Sequence, residues 1–248
     1  MKKLLKILML TALLFAVVFP ASTVIAASAV RSMPSSVTAG DSFDIDISVS
    51  DYGAFGQVAE TLPAGFSYVS STLSAAAVDV EGQVVKFTLL EEDTSFSYTV
   101  TASATPGTYT FSGILKDEDL NELAIGGDTQ IIVPATRSMP SSVSTGASFD
   151  IDITTFDYGA FGQVVETLPA GFSYVGSTLS EAAVDVEGQV VKFTLLDEAD
   201  FSYTVSASST AGTYTFSGIL KDEDLNQYDI GGDTQITVTT TAAPGNGG

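Results

Sequence analysis

The chain has 248 residues, with 30 Asp and Glu against 9 Lys and Arg, and neither Cys nor His. A formal net charge of −21 argues against nucleic acid and anionic membrane as partners. The missing Cys and His exclude disulfides, thiol nucleophiles, His-based triads and the common zinc ligand sets, which leaves carboxylate, Ser/Thr, Tyr or Lys chemistry.

In chain order, Lys2, Lys3 and Lys6 precede an apolar run from Ile7 to Phe19, and Pro20 and small residues follow through Ala26, Ala27 and Ala29. This pattern predicts a secretory signal peptide over residues 1–27, because the run falls short of the roughly 20 residues that span a bilayer. A retained anchor is the competing reading. No Cys follows the run, which excludes lipoprotein attachment. The expected location is extracellular, secreted or associated with the cell surface, with no transmembrane segment once the signal is removed. Beyond the signal, six bases face 30 acids, a formal charge of −24. Such a surface favours solubility and the company of divalent cations or salt.

Residues 28–133 read as one all-β module. Phe43, Ile45 and Ile47 alternate with Asp44, Asp46 and Ser48. Val85, Phe87 and Leu89 alternate with Lys86 and Thr88, and Phe96, Tyr98 and Val100 with Ser97, Thr99 and Thr101. A period of two predicts half-buried antiparallel strands. Further strands are expected at 66–70, 108–115 and 129–133. Turns are expected at 63–65, 81–82, 106–107 and 126–128, with Pro63 pre-setting φ and Gly65 supplying a positive one. Seven or more short strands in about 100 residues predict a two-sheet sandwich of immunoglobulin-like type, with a closed barrel as the alternative.

Residues 137–238 repeat this module. Arg31 to Val133 realigns on Arg137 to Val238 with about four-fifths of the positions identical, at an offset of 106 that drops to 105 after a deletion near Thr94. A period of that length matches a whole small domain rather than a solenoid repeat. Pro134, Ala135 and Thr136 are expected as a short, stiff linker, and residues 239–248, rich in Thr, Ala, Pro and Gly, as a flexible tail. The copies differ at Ile132, which becomes Thr237 at an outward site while Ile131 and Val133 return as Ile236 and Val238. Asp41, Asp93 and Glu122 become Ala147, Ala199 and Gln227, so none of those carboxylates can be essential to an activity that both copies share.

TLPAGFSYVSSTLS (61–74) followed by VVKFTLLEEDTSFSYTVTAS (84–103) resembles the immunoglobulin-like repeat of prokaryotic cell-surface proteins, strung in tandem on S-layer, adhesin and stalk proteins. The ending TYTFSGILKDEDLN with IGGDTQIIV is similar to surface modules of methanogenic archaea and Chloroflexi-type bacteria. The resemblance implies a sandwich fold and a structural or adhesive role, and it brings no catalytic residues. A second resemblance, of VTAGDSFDIDI (37–47) to the start of a cohesin, implies a binding module instead.

Three places could carry chemistry. Asp117, Asp119 and Asn121, repeated as Asp222, Asp224 and Asn226, have the D-x-D-x-N spacing that opens a calcium loop, although Glu122 and Gln227 stand where an EF-hand needs Gly. A plain acidic hairpin turn has the same composition. Tyr52, Phe55, Tyr158 and Phe161 could offer a sugar-stacking platform or a partner contact, or they could fill the core. A glycosidase-like pair could be made of Glu60 with Asp79 or Glu81, but nothing in the sequence places them in one cleft. The expectation is a non-enzymatic exported protein of repeated spacer modules, with no cofactor beyond possible Ca2+. Its partners would be other cell-surface proteins or itself, and possibly glycans. A carbohydrate-binding or cohesin-like module is the alternative.

Overall fold

The computed structural model describes residues 26–240, so most of the signal segment and the tail from 241 lie outside the described residues. Strand dominates: the only helical pieces among the described residues are the 3-10 turns Ala75–Ala77 and Glu181–Ala183.

In the first half, one five-stranded sheet runs in the order Gly126–Gly127, Ser28–Ser32, Ser42–Ser50, Ser95–Thr101, Ser67–Ser71. A second runs Glu122–Ala124, Ser112–Lys116, Phe55–Thr61, Val84–Leu90, Val78–Glu81. Gly107–Thr110 pairs with Gln130–Val133 as a separate two-stranded ladder. The alternation read from the sequence sets what faces inward. Ile45, Ile47, Phe96, Tyr98 and Val100 from the first sheet meet Val58, Val85, Phe87, Leu89 and Leu115 from the second, all buried in one cluster. Burying each such side chain is worth about 1.5–3 kcal/mol, so this seam holds the sheets face to face. Phe66 adds an aromatic knot, meeting Phe43, Tyr109 and Phe111 edge-on at centroid distances of 6.2, 4.9 and 5.4 Å. The outer face of the first sheet is polar: Asp44 and Asp46 accept hydrogen bonds from the hydroxyls of Thr99 and Ser97 across the ladder.

The second half repeats both five-stranded sheets around its own cluster, from Ala135 to Val238. Thr237 is exposed between buried Ile236 and Val238, as the register required. Ser142–Ser144 runs parallel to Gln235–Thr239, where the first half has a single bridge between Ser36 and Ile132. The arrangement is an open two-sheet sandwich of immunoglobulin-like type, and the five-stranded sheets keep free edges, so the barrel alternative is not what forms.

Three expectations need correction. The segment 108–115 is not one strand, because buried Phe111 divides Gly107–Thr110 from Ser112–Lys116, which belong to different sheets. The turn at 63–66 is closed by the Phe66 N–H donating to the Pro63 carbonyl at 3.1 Å. Pro63 is thus the first residue of the turn rather than the second, while Gly65 takes the positive φ of 88°. The linker of residues 134–136 shrinks to Pro134: Ala135 and Thr136 pair with Thr155 and Thr154, and Ala135 is fully buried in the second cluster. With Gln130–Val133 ending just before it, one strand leads into the next across a single buried proline.

Candidate interaction site

Two sequence-predicted features converge at one end of each half. The loop before strand Phe55–Thr61 and the acidic loop after Ser112–Lys116 are joined by Glu118. Its N–H donates to the Tyr52 carbonyl at 3.0 Å, and its carboxylate accepts from the Ala54 N–H at 2.9 Å. Glu223 repeats both contacts with Tyr158 and Ala160, at 3.0 and 2.8 Å. This junction, with Ala26, Ala27 and Leu123, walls a shallow depression of about 320 Å³ in the first half.

Asp117 organises the acidic loop from within. Its carboxylate accepts the N–H groups of Asp119 and Asn121 at 3.0 and 2.8 Å and the Asn121 side-chain amide at 2.8 Å. Asp222 does the same for Asp224 and Asn226 and also accepts from the Tyr228 hydroxyl at 3.1 Å. The Asn121 amide and the loop N–H groups hold the Asp117 carboxyl below its ordinary value. The D-x-D-x-N spacing therefore builds a side-chain-capped turn, in which Asn121 presents its NH2 rather than its oxygen to Asp117. Among the described residues, no group of three or more acidic side chains is gathered to hold a metal ion.

The four aromatic candidates divide. Tyr52 and Tyr158 are buried and serve the core. The Tyr52 hydroxyl meets the carbonyls of Leu90 and Asp93, the latter at 2.7 Å, and Tyr158 donates to the Glu198 carbonyl at 2.9 Å. Each phenol thus ties down the turn ahead of the next strand, which an exposed stacking platform could not do. Burial, reinforced by nearby Asp93, pushes the Tyr52 phenol up. Phe55 and Phe161 remain about half exposed, at 53% and 48%. Phe55 stands opposite exposed Leu90 in the ladder, and Phe161 and Leu196 are exposed beside the paired Gly162 and Leu195.

The carboxylates weighed as a catalytic pair do not meet as one. Asp79 and Glu81 lie on the outer face beside Lys86, at 3.8 and 2.6 Å. Glu60 faces the opposite way, fully buried, with the Arg31 guanidinium at 2.7 Å. Arg31 also donates to the Asp128 carbonyl at 2.9 Å, so one side chain connects both sheets and the loop at 128. Arg137, Glu166 and the Asp233 carbonyl repeat this arrangement. Burial pushes the Glu60 and Glu166 carboxyls up, and their arginines pull them back. The sequence reading missed this network, yet strict alternation contains it: Arg31 is in phase with Ala29, and Glu60 with Val58.

No protein-family model matches the chain, and no curated protein matches it. Among solved structures it is similar to a non-cellulosomal cohesin from the hyperthermophilic archaeon Archaeoglobus fulgidus, at 10% identity and a TM-score of 0.32, over 43% of this chain and 90% of that one. It is also similar to a marsupial T cell receptor, at 12% identity and a TM-score of 0.29, over 88% of this chain and 75% of that one. Likenesses this weak carry no argument about function, and the sandwich rests on its own strands.

Proposed function

We propose that this is a non-enzymatic, exported protein of the cell surface whose two immunoglobulin-like modules, residues 28–133 and 137–238, act as stiff spacers or adhesive elements. The observation that carries this reading is the joint: a single buried proline separates the last strand of one half from the first strand of the other. The Phe156 N–H donates across it to the Pro134 carbonyl at 2.8 Å. A tether between independent binding units needs slack, whereas a spacer needs this kind of joint. The basic and apolar start of the chain supports export, and the acidic, Ser- and Thr-lined outer face suits a hydrated surface layer. Fractionating the producing cells tests the role. The protein is expected with the cell envelope, and finding it only in the culture medium would overturn the surface assignment.

The half-exposed pairs Phe55 with Leu90 and Phe161 with Leu196 favour a second reading, a module that binds another protein through these apolar spots. Loss of a captured envelope partner on Phe55→Ala with Phe161→Ala would support it, and unchanged capture would remove it.

A further inference from the structure

Within the chain, the loop at 35–39 of the first half packs on residues 227–231 of the second. Ala39 is buried there at 4% exposure, and Gly231 is buried beneath it. A Cβ built on Gly231 would clash with the Ala39 carbonyl oxygen and lie 2.8 Å from its methyl. Ser35, Ser36 and Pro134 line a cleft with Asp157, Asp222 and Tyr228, which places hydroxyl donors beside carboxylates.

Because the halves repeat one sequence, each side of this contact has an unused counterpart. The counterpart of Gly231 is Gly126, which is exposed, and among the described residues a Cβ there would meet nothing nearer than the Ala29 carbonyl at 3.8 Å. Asp51, Asp117 and Leu123, which line the first-half depression together with Ala26 and Ala27 at the end of the predicted signal segment, stand in the places of Asp157, Asp222 and Tyr228. The counterpart of the packing loop is PSSVSTG at 140–146, against PSSVTAG at 34–40. It is held the same way: Gly146 and Gly40 each donate to a serine carbonyl, Ser208 and Ser103, at 3.2 Å. Thr237 donates to the Ser141 carbonyl at 3.0 Å, as Ile132 donates to that of Ser35 at 2.9 Å. The loop is therefore preformed and pays little ordering entropy on docking.

We propose that a second copy of this chain docks its 141–145 loop into the depression beside Gly126, repeating between chains the contact made once within each. The inference rests on the spacer reading and deepens it by naming the partner. The contact is heterologous, with different surfaces on its two sides, so it propagates into open head-to-tail strings rather than closing as a dimer. The loop 140–146 carries no charge, and its hydroxyls suit the carboxylates of Asp51 and Asp117. Two features keep the association weak. The formal charge of −24 beyond the signal, six bases against 30 acids, repels like chains, so salt should promote it. Thr145 also stands where Ala39 does, with two extra heavy atoms against the glycine.

The test is the mass of the purified exported chain, from residue 28 onward, by sedimentation, followed over about a hundredfold range of concentration at low and high salt. Mass is expected to rise gradually with concentration, more so in salt. Gly126→Gln places a side chain in open space, so its circular dichroism and melting should match the parent while association falls at least about tenfold. Thr145→Ala should strengthen association several-fold. A chain that stays monomeric throughout overturns the proposal, as does association indifferent to both variants, a closed dimer, or a strand-exchanged dimer that survives dilution. None of these outcomes bears on cell fractionation, so the spacer reading stands or falls separately.

Discussion

The two buried networks use the same three residue types and satisfy them differently. In the first half Arg31 Nε donates to Glu60 at 3.3 Å, and the Tyr98 hydroxyl beside the pair has no hydrogen-bond partner among the described residues. In the second half Arg137 Nε is the unpartnered atom, and the Tyr203 hydroxyl donates to Glu166 at 3.1 Å. Among the described residues, each half thus leaves one buried side-chain polar atom unpaired, and only its identity changes. A carboxylate has a limited set of acceptor directions, and the guanidinium and the phenol compete for the same oxygens. The common element is the bidentate Arg–Glu contact, which fixes the register of one sheet over the other. The variable element is the third partner.

The largest expected effect comes from breaking the common element. Glu60→Leu or Glu166→Leu leaves a guanidinium buried without its counter-ion and should cost about 3–5 kcal/mol. Pairing either change with Arg31→Met or Arg137→Met should recover most of that loss. Urea denaturation read by amide exchange in Phe55–Thr61 and Gly162–Thr167 separates the two halves. A single variant that costs no more than its double would mean that the pair is incidental.

Next comes the element that differs. Tyr203→Phe removes a hydrogen bond to a buried carboxylate and should cost about 1.5–3 kcal/mol. Tyr98→Phe removes a hydroxyl that has no partner and should be neutral or stabilising. Equal losses in the same exchange experiment would show that both phenols are bonded and that the contrast is false.

The glycines at the joint give a third contrast. Gly231→Ala forces the Ala39 backbone away and should cost about 1–3 kcal/mol at the joint, whereas Gly126→Ala should be silent. Exchange protection of the Phe156 N–H reports the joint directly, and equal protection in the two variants would remove Ala39 from the contact.

The smallest effect concerns the acidic loops and pH. Asp117 and Asp222 have carboxyls held below their ordinary values, so the unfolded chain binds protons more readily than the folded one. Their stabilisation is present above about pH 4 and is lost on acidification through the lowered folded value. Glu60 and Glu166, pushed up, act in the opposite sense in parent and variant alike. Asp117→Asn with Asp222→Asn should therefore melt at nearly the same temperature as the parent at low pH and below it at pH 6. A constant difference across that range would deny the linkage.

Much of this fold was legible because its signal is local. Period-two alternation and the turn glycine at 65 are written in neighbouring residues, and they placed Ile45, Phe87 and Tyr98 in the core. The sheet change at Phe111 was hidden because TYTFSGIL alternates across it with almost no break. The Arg31–Glu60 pair was hidden because it joins positions 29 residues apart, on different sheets. The spacing at Asp117 was ambiguous for a related reason: the same oxygens that could bind a cation can cap their own loop, as they do here. Tyr52 and Tyr158 were ambiguous because a loop aromatic flanked by glycines reads alike whether it points out or in.

The central claim is that the two halves form one stiff unit across Pro134, and small-angle X-ray scattering of the full chain tests it most directly. Extrapolated to zero protein concentration, where chains do not associate, the scattering is expected to give a single narrow distribution of separations between the halves, unchanged by salt and broadened by Gly231→Ala. A broad, salt-dependent distribution in the parent protein, of the kind a flexible tether gives, would contradict it.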